Sequence, residues 1–369
     1  MKIVHVVDTA SRHAGGMFES VKGLARAMLI GGEQVSVIAG LDRWSDNDRE
    51  TWAPVPLSEV PTARFADKIL GRSMIAALDA AAPDLVHLHG IWGVAARATT
   101  AWVRRSGKPA VISPHGMIDP WAWNRSRTKK RISALIWEGR LLRSAALLHA
   151  LNPDEAQAIS DHRFGTPVRV IPNGVSLPDK LSDRLPEDGR RSLLFIGRLH
   201  PKKGLEEMIV AWGLVQPAVR AAWRLTIAGW DEIGLLAKLK SQTNALDLTR
   251  DISFIGPVFD AAKDEAFRAA SAFILPSYSE GLPMTVLEAW SYGLPALMTD
   301  ACNLPKGFRE GAAFRITTDP ASMAVAMDAV LLDETRLSAA GARGRALAEK
   351  DHDWAAIGRA MTAAYREIV

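Results

Sequence analysis

"KIVHVVDTASRHAGGMFESVKGLARAMLIGGEQVSVIAG" (residues 2–40) is the stretch that decides the fold. KIVHVV reads as a buried strand. A turn carrying Gly15 and Gly16 follows, and then Val21, Leu24, Ala25 and Met28 recur on one face of an amphipathic helix. EQVSVIAG (33–40) returns to strand character. Strand, loop, helix, strand in this order predicts a right-handed parallel unit.

The same alternation continues outward from this unit. PDLVHLHG (83–90), KPAVISPHG (108–116), AALLHAL (145–151) and VRVIPNG (168–174) read as further strands of an N-terminal half. Residues 176–190, SLPDKLSDRLPEDGR, are polar and rich in proline and aspartate, as linkers are. A second series then begins with strand SLLFIG (192–197), a helix from Leu205, strands RLTIAG (224–229) and ISFIG (252–256), a helix near 261–270 and strand AFILPS (272–277). The expected organisation is an N-terminal domain over 1–177, a linker over 178–190 and a C-terminal domain over 191–352. The tail carries Trp354, Ile357, Met361 and Tyr365 at helical spacing, so a helix over 353–369 is expected to complete the first domain. The fold class expected is α/β, with two Rossmann-like doubly wound domains. Such sheets bind ligands beyond the carboxyl ends of their strands, which places an interdomain cleft between the two.

Composition narrows the partners. The 369 residues are 48% apolar and 23% charged, and the net charge is +4. That balance suits a globular protein attracted to anionic ligands or surfaces. Cys302 is the sole cysteine, so neither an internal disulfide nor a cysteine zinc cluster is available. No stretch approaches 18 apolar residues, and the opening MKIVHVVDTA reaches Asp8 too soon for a signal peptide. A cytoplasmic location is expected. The basic residues are not interleaved with a nucleic-acid reader motif, so no nucleic-acid partner is expected.

Polar residues that no core requires gather at strand ends. PSYSEGLPMTVLEAWSYGLPAL (276–297) sets Glu280 and Glu288 around Gly281 and Pro283. Pro283 suits a first helical position, and Glu288 then falls about 7 Å along the helix axis. The amides and dipole at that helix start make a phosphate seat between the two carboxylates. FIGRLHPKKGL (195–205) places Arg198 and Lys203 in another strand-end loop, two cations suited to a diphosphate. Gly15 and Gly16 let backbone amides approach an anion. His115 lies between a proline and a glycine at the end of its strand. His87 and His89 stand two apart on a strand with no third metal ligand in view, so no metal is expected.

These motifs, "GG" (15–16), "PHGM" (114–117), "IPNGV" (171–175), "GRLHPKKGL" (197–205) and "SEGLPMTVLEAWSYGLP" (279–295), stand in the order found in GT4-type glycosyltransferases, and nearly the whole chain resembles that family. The resemblance implies a GT-B fold and transfer of a sugar from a nucleotide-diphosphate donor, with retention of configuration and without metal or other cofactor. It implies that Glu280 contacts the transferred sugar, Glu288 the ribose hydroxyls, and Arg198 and Lys203 the diphosphate. It places His115 near the sugar and the reacting bond, and it makes His115, Arg198, Lys203 and Glu280 the catalytic set. The implied donor seat also takes in Gly15, Gly16, Gly197, Gly229, Pro257, Val258, Gly281, Leu282, Pro283, Met284 and Thr285. The sequence departs from the family at Leu282, where many relatives carry Phe, and at 299–314, where Cys302-Asn303-Leu304-Pro305 replaces the usual Gly-Gly-x-x-Glu turn.

WAWNRSRTKKRISALIWEGRLLR (121–143) holds seven Lys/Arg, one acid and three tryptophans. A basic amphipathic segment with interfacial tryptophan reads as peripheral membrane binding; a solvated helix face over ordinary core is the plainer alternative. Asp119, Trp121, Trp123, Lys129, Lys130 and Arg131 are the acceptor and membrane candidates. PHGMIDPWAW followed by basic residues also resembles the GT4 enzymes of bacterial surface-polysaccharide assembly, whose acceptors are polyprenyl-diphosphate-linked saccharides. The expected partners are therefore a nucleotide-sugar donor, a lipid-linked saccharide acceptor and the anionic inner face of the cytoplasmic membrane. The competing readings are a sugar-nucleotide 2-epimerase of the same fold and a non-catalytic membrane-bound assembly factor.

Overall fold

The computed structural model describes residues 1–62, 71–118, 139–179, 181 and 189–369. Its chain forms two compact units, one of Met1–Gly174 with Asp353–Val369 and one of Val175–His352. The passage between them falls at Gly174–Val175, three residues before the expected 177. Residues 180 and 182–188 of the expected linker lie outside the described residues.

The first unit is built on β1 (Lys2–Val7), β2 (Gln34–Gly40), β3 (Leu57–Val60), β4 (Leu85–His89), β5 (Ala110–Ser113), β6 (Leu147–Ala150) and β7 (Val168–Val170). Their order is β3-β2-β1-β4-β5-β6-β7, and every pairing is parallel. Strand order reverses between β1 and β4, the switch point where doubly wound sheets leave a crevice. Alternation along β1 sends Ile3 and Val7 to one face and Val4 and Val6 to the other, and each face meets its own apolar cluster. The helix Gly16–Ile30 covers the first face with Val21, Leu24, Ala25 and Met28, the residues whose spacing predicts it. The helix Trp354–Arg366 packs on the same face through Ile357, Met361 and Tyr365. Its Trp354 indole fills the space that a side chain on Gly23 or Gly174 would need.

The second unit carries β8 (Arg191–Ile196), β9 (Trp223–Ala228), β10 (Ile252–Gly256), β11 (Ala272–Leu275), β12 (Ala296–Met298) and β13 (Ala313–Arg315), in the order β10-β9-β8-β11-β12-β13. These pairings too are parallel, and the switch point lies between β8 and β11. The two sheets are doubly wound α/β sheets of Rossmann type, as the alternation of strand and helix predicts. Strands β3, β12 and β13 were not foreseen. Each has three or four residues, too short for a period to show.

Candidate active site

In the second unit the strand-end loops converge on the switch point. Gly197 follows β8, and its N–H bonds the Ala228 carbonyl at 3.0 Å. A Cβ on Gly229, which follows β9, would stand 1.9 Å from the Gly197 carbonyl oxygen, so these two turns touch through backbone alone. The loop beyond β8 continues to Leu199, bridged to Asp231, and to Lys202, whose carbonyl accepts the Tyr278 N–H at 2.8 Å. That last bond ties the loop after β8 to the loop after β11. Pro257 and Val258 follow Gly256 at the end of β10.

Two residues assigned to different parts of a donor meet here. Lys203 Nζ lies 2.5 Å from Glu280 Oε1, and the Ser277 hydroxyl donates to the same oxygen at 2.5 Å. The side chains are 15% and 10% exposed, so solvent screens this pair little. Burial pushes the Glu280 carboxyl upward, but Lys203, Lys202 and Ser277 outweigh it and hold the group below its ordinary value. Glu280 is therefore an anion fixed in place. Asn303, in a left-handed conformation at φ 57°, donates its Nδ2 to the carbonyls of Glu280 at 2.7 Å and Gly281 at 3.2 Å. The segment that departs from the family turn thus props the glutamate loop. Arg198 is not part of this cluster. It is half exposed, with Glu232 at 4.0 Å.

Glu288 lies five positions along the helix Met284–Ser291. The helix begins one residue later than expected. Pro283, with φ −73° and ψ 106°, is its cap rather than its first residue, and the Pro283 carbonyl accepts the Val286 N–H at 3.1 Å. Met284 and Thr285 form the opening turn, and Leu282 before it is buried. The helix is anchored by Trp290, whose indole occupies the space a side chain on Gly344 of the helix Glu334–Asp351 would need. Glu288 Oε1 lies 2.5 Å from Lys263 Nζ, a lysine on the helix Asp260–Ala269 that sequence reasoning missed. Nothing in a single sequence marks that lysine, because it reaches Glu288 from another βα unit.

In the first unit Gly15 adopts φ 63° and ψ −131°, a conformation only glycine takes readily. Its N–H closes the preceding turn on the Arg12 carbonyl at 2.9 Å, so this amide of the expected glycine pair is already spent, and Gly16 is the first helical residue. His115 and Gly116 follow β5 with φ 53° and 75°, and the Met117 N–H bonds back to the Pro114 carbonyl at 3.2 Å. Two central residues of positive φ make a turn that an ordinary residue adopts only under tertiary constraint. Glu155 supplies that constraint. Its carboxylate accepts the Gly116 N–H at 2.6 Å and the Leu151 N–H at 2.8 Å.

His5, His87 and His89 come together, which sequence reasoning did not see: β1 brings His5 beside the two-apart pair of β4, with ligand atoms within 4.8 Å of one another. Both nitrogens of His87 are already in hydrogen bonds, to the Tyr365 hydroxyl at 2.5 Å and the Ser113 hydroxyl at 2.6 Å. Metal ligation would break them, so the cluster reads as a hydrogen-bonded network.

Asp119, Trp121, Trp123, Lys129, Lys130 and Arg131 lie outside the described residues. Among the described residues, no helix is long and apolar enough to cross a membrane.

Comparison with known proteins adds to this geometry. Residues 14–178 match the family described as "Glycosyltransferase Family 4" and residues 179–347 the family "Glycosyl transferases group 1". A D-inositol 3-phosphate glycosyltransferase of Streptomyces scabiei is 28% identical over 62% of this chain and 55% of its own length. Its counterpart in Geodermatophilus obscurus is 30% identical over 58% of this chain and 51% of its own, so the chain spans about half the length of these curated relatives. Among solved structures, Anabaena HepE in complex with UDP-glucose superposes with a TM-score of 0.81 over 100% of both chains at 18% identity. At that identity the likeness speaks for the fold, two doubly wound sheets of the GT-B kind.

Proposed function

The chain belongs to the GT4 glycosyltransferases of the GT-B fold, and from that premise we propose that it moves a sugar from a nucleoside-diphosphate donor to a lipid-linked saccharide with retention of configuration. The observation that carries this reading is the buried Lys203–Glu280 pair at the switch point of the second sheet. A fixed carboxylate takes hydroxyl protons of a sugar in hydrogen bonds. A lysine beside it meets the phosphate to which that sugar is bonded.

The step breaks the bond between the anomeric carbon and the β-phosphate oxygen and forms one from that carbon to an acceptor oxygen on the same face. Negative charge grows on the leaving diphosphate, where Arg198 and Lys203 stabilise it. The departing phosphate takes the acceptor's proton, so no separate base is needed. The reaction is read as metal-independent. Glu288 binds the ribose hydroxyls, and Lys263 beside it holds that carboxylate in place.

The acceptor is read from the basic, tryptophan-bearing segment 121–143, whose chemistry suits an anionic lipid diphosphate on the inner face of the cytoplasmic membrane, in exopolysaccharide or O-antigen assembly. Incubation with a panel of UDP- and GDP-sugars, with and without a polyprenyl-diphosphate saccharide and with EDTA throughout, tests the reading. The expected result is nucleoside diphosphate released only when acceptor is present. Interconversion of the donor alone, or a strict divalent requirement, contradicts it.

A further inference from the structure

Nine histidines occur in the chain, and five of them form one patch in the first unit, His5, His87, His89 and His149 buried and His115 half-buried at its edge. Alternation explains the patch. Ile3, Leu85, Val111 and Leu147 belong to the core on one face of the sheet, so His5, His87, His89, Ser113 and His149, each an even number of residues further along its strand, face the same way. Adjacent strands β1, β4, β5 and β6 then set them side by side.

Two hydrogen-bonded chains run through the patch, and the first has a known direction. His149 Nε2 lies 2.7 Å from the Ile171 carbonyl, which only accepts, so Nε2 carries the proton. His149 Nδ1 must then accept from the Ser113 hydroxyl at 2.6 Å. Ser113 therefore accepts from His87 Nε2–H at 2.6 Å, and His87 Nδ1 accepts from the Tyr365 hydroxyl. Each proton is assigned by the carbonyl at the end.

The second chain runs from His5 Nδ1 to His89 Nε2 at 2.8 Å and from His89 Nδ1 to His115 Nε2 at 2.9 Å. Each contact needs one N–H and one lone pair, and a neutral ring offers one of each. Burial first, and neighbouring histidines second, hold all three rings neutral, with His5 and His115 lowered to about 3 and His89 also well below its ordinary value. Two directions remain, and the far nitrogen of His5 separates them. His5 Nε2 is enclosed with no hydrogen-bond partner among the described residues. His87, the other ring with ligand atoms in reach, has already spent its proton on Ser113 and its lone pair on Tyr365. Running inward, the chain would leave His5 with a buried N–H and no acceptor. Running outward, it leaves only an unused lone pair. A buried orphan donor is the rarer and costlier of the two.

We propose that His5 and His89 are positioning residues that donate outward in series and hold His115 in its Nδ1–H tautomer, so that His115 meets a ligand oxygen only as a hydrogen-bond donor. With its Nε2 lone pair occupied by His89, His115 cannot serve as a general base. The strained turn at Pro114–Met117, pinned by Glu155, fixes the ring against this relay. That His115 faces the transferred sugar rests on the function proposed above; the direction of the relay does not.

The test separates the two. In protein labelled with 15N-histidine, two-bond proton–nitrogen correlations at pH 7.5 report each tautomer, and the His115 signals are those lost in His115→Gln. The Nδ1–H pattern at His115 is expected, and an Nε2–H pattern or a charged ring overturns the proposal whatever reaction the chain performs. Turnover supplies the second arm. His89→Asn keeps an N–H near the place of Nδ1 and is expected to retain most of kcat. His89→Leu removes it and is expected to lower kcat by about tenfold or more with the donor KM within about twofold. Equal kcat in the leucine variant and the wild type overturns the positioning role. If no donor is turned over by any variant, the proposed function falls and the spectrum still decides the relay.

Discussion

Gly204 and the Pro276 carbonyl occupy one space: a Cβ on Gly204 would stand 2.2 Å from that oxygen, and Gly204 holds φ +67°. The contact joins the loop after β8 to the loop after β11, and so brings Lys203 to Glu280. Gly204→Ala adds a left-handed backbone penalty and a clash with backbone that cannot yield. It is expected to cost about 2–4 kcal/mol of stability in the second unit. Denaturant unfolding followed by tryptophan fluorescence measures this, and an unchanged midpoint would mean that the two loops do not need each other.

Lys203 and Arg198 should behave differently although both are assigned to the diphosphate. Lys203→Met leaves Glu280 buried without its cation, so a loss of about 3–5 kcal/mol in stability accompanies any loss of turnover. Adding Glu280→Gln to Lys203→Met should restore much of that stability but not the turnover. Arg198 is half exposed, and Arg198→Ala should change stability by less than about 1 kcal/mol while lowering kcat. Paired measurements of melting temperature and kcat on the three proteins decide it; an Arg198→Ala enzyme with full turnover removes that arginine from the mechanism.

Glu288 is best probed with glutamine, because alanine would also strand Lys263. Glu288→Gln leaves the lysine an acceptor and removes the charge that holds ribose hydroxyls. Donor affinity should fall by about 1.5–3 kcal/mol, read as Kd by calorimetry, with the fold intact. An equal Kd would sink the ribose assignment.

What the sequence made legible follows from period and length. β1, the helix Gly16–Ile30 and the helix Trp354–Arg366 carry long, clean apolar patterns, and their faces are the buried ones. Glu280, Glu288, Arg198 and Lys203 were visible because glycine and proline punctuation marks strand ends. The partnerships were not. Lys263 meets Glu288 across 25 positions and Asn303 meets the Glu280 carbonyl across 23, distances over which one chain offers no covariation. The histidine patch was legible in principle. IVHVV, LVHLH and LLHA each place histidine in the phase of a core residue, but only the strand order puts those phases side by side.

The cationic run Lys129, Lys130 and Arg131 is tested on vesicles. Replacing all three with Glu should release the protein from anionic liposomes, since each cation near such a surface contributes about 1 kcal/mol. Turnover on a soluble acceptor analogue should change little, and turnover on a lipid-linked acceptor should fall. Equal sedimentation of wild type and variant would return the segment to a solvated surface.

Mild acid should weaken the first unit first. Its five patch histidines are held neutral when folded, with His149 lowered to about 4 and His5 and His115 to about 3 from an ordinary 6.5. Below 6.5 the unfolded chain binds protons that the folded patch refuses, so folding stability falls as pH drops from there toward the folded values. Each such histidine contributes up to about 1.4 kcal/mol per pH unit in that window. The Glu280 carboxyl, lowered in the folded state from an ordinary 4.5, contributes stability above 4.5 that is lost only as pH falls through its folded value. The order of loss is therefore the histidine patch first and the carboxylate of the second unit later. Urea unfolding at pH 7.5 and 5.5, followed by hydrogen exchange of β1 and β4 against β8 and β11, should show the midpoint fall and protection lost first in β1 and β4. Equal protection of the two sheets at pH 5.5 would mean that the patch is solvated and titrates normally, and with it the neutral relay through His89 would fail.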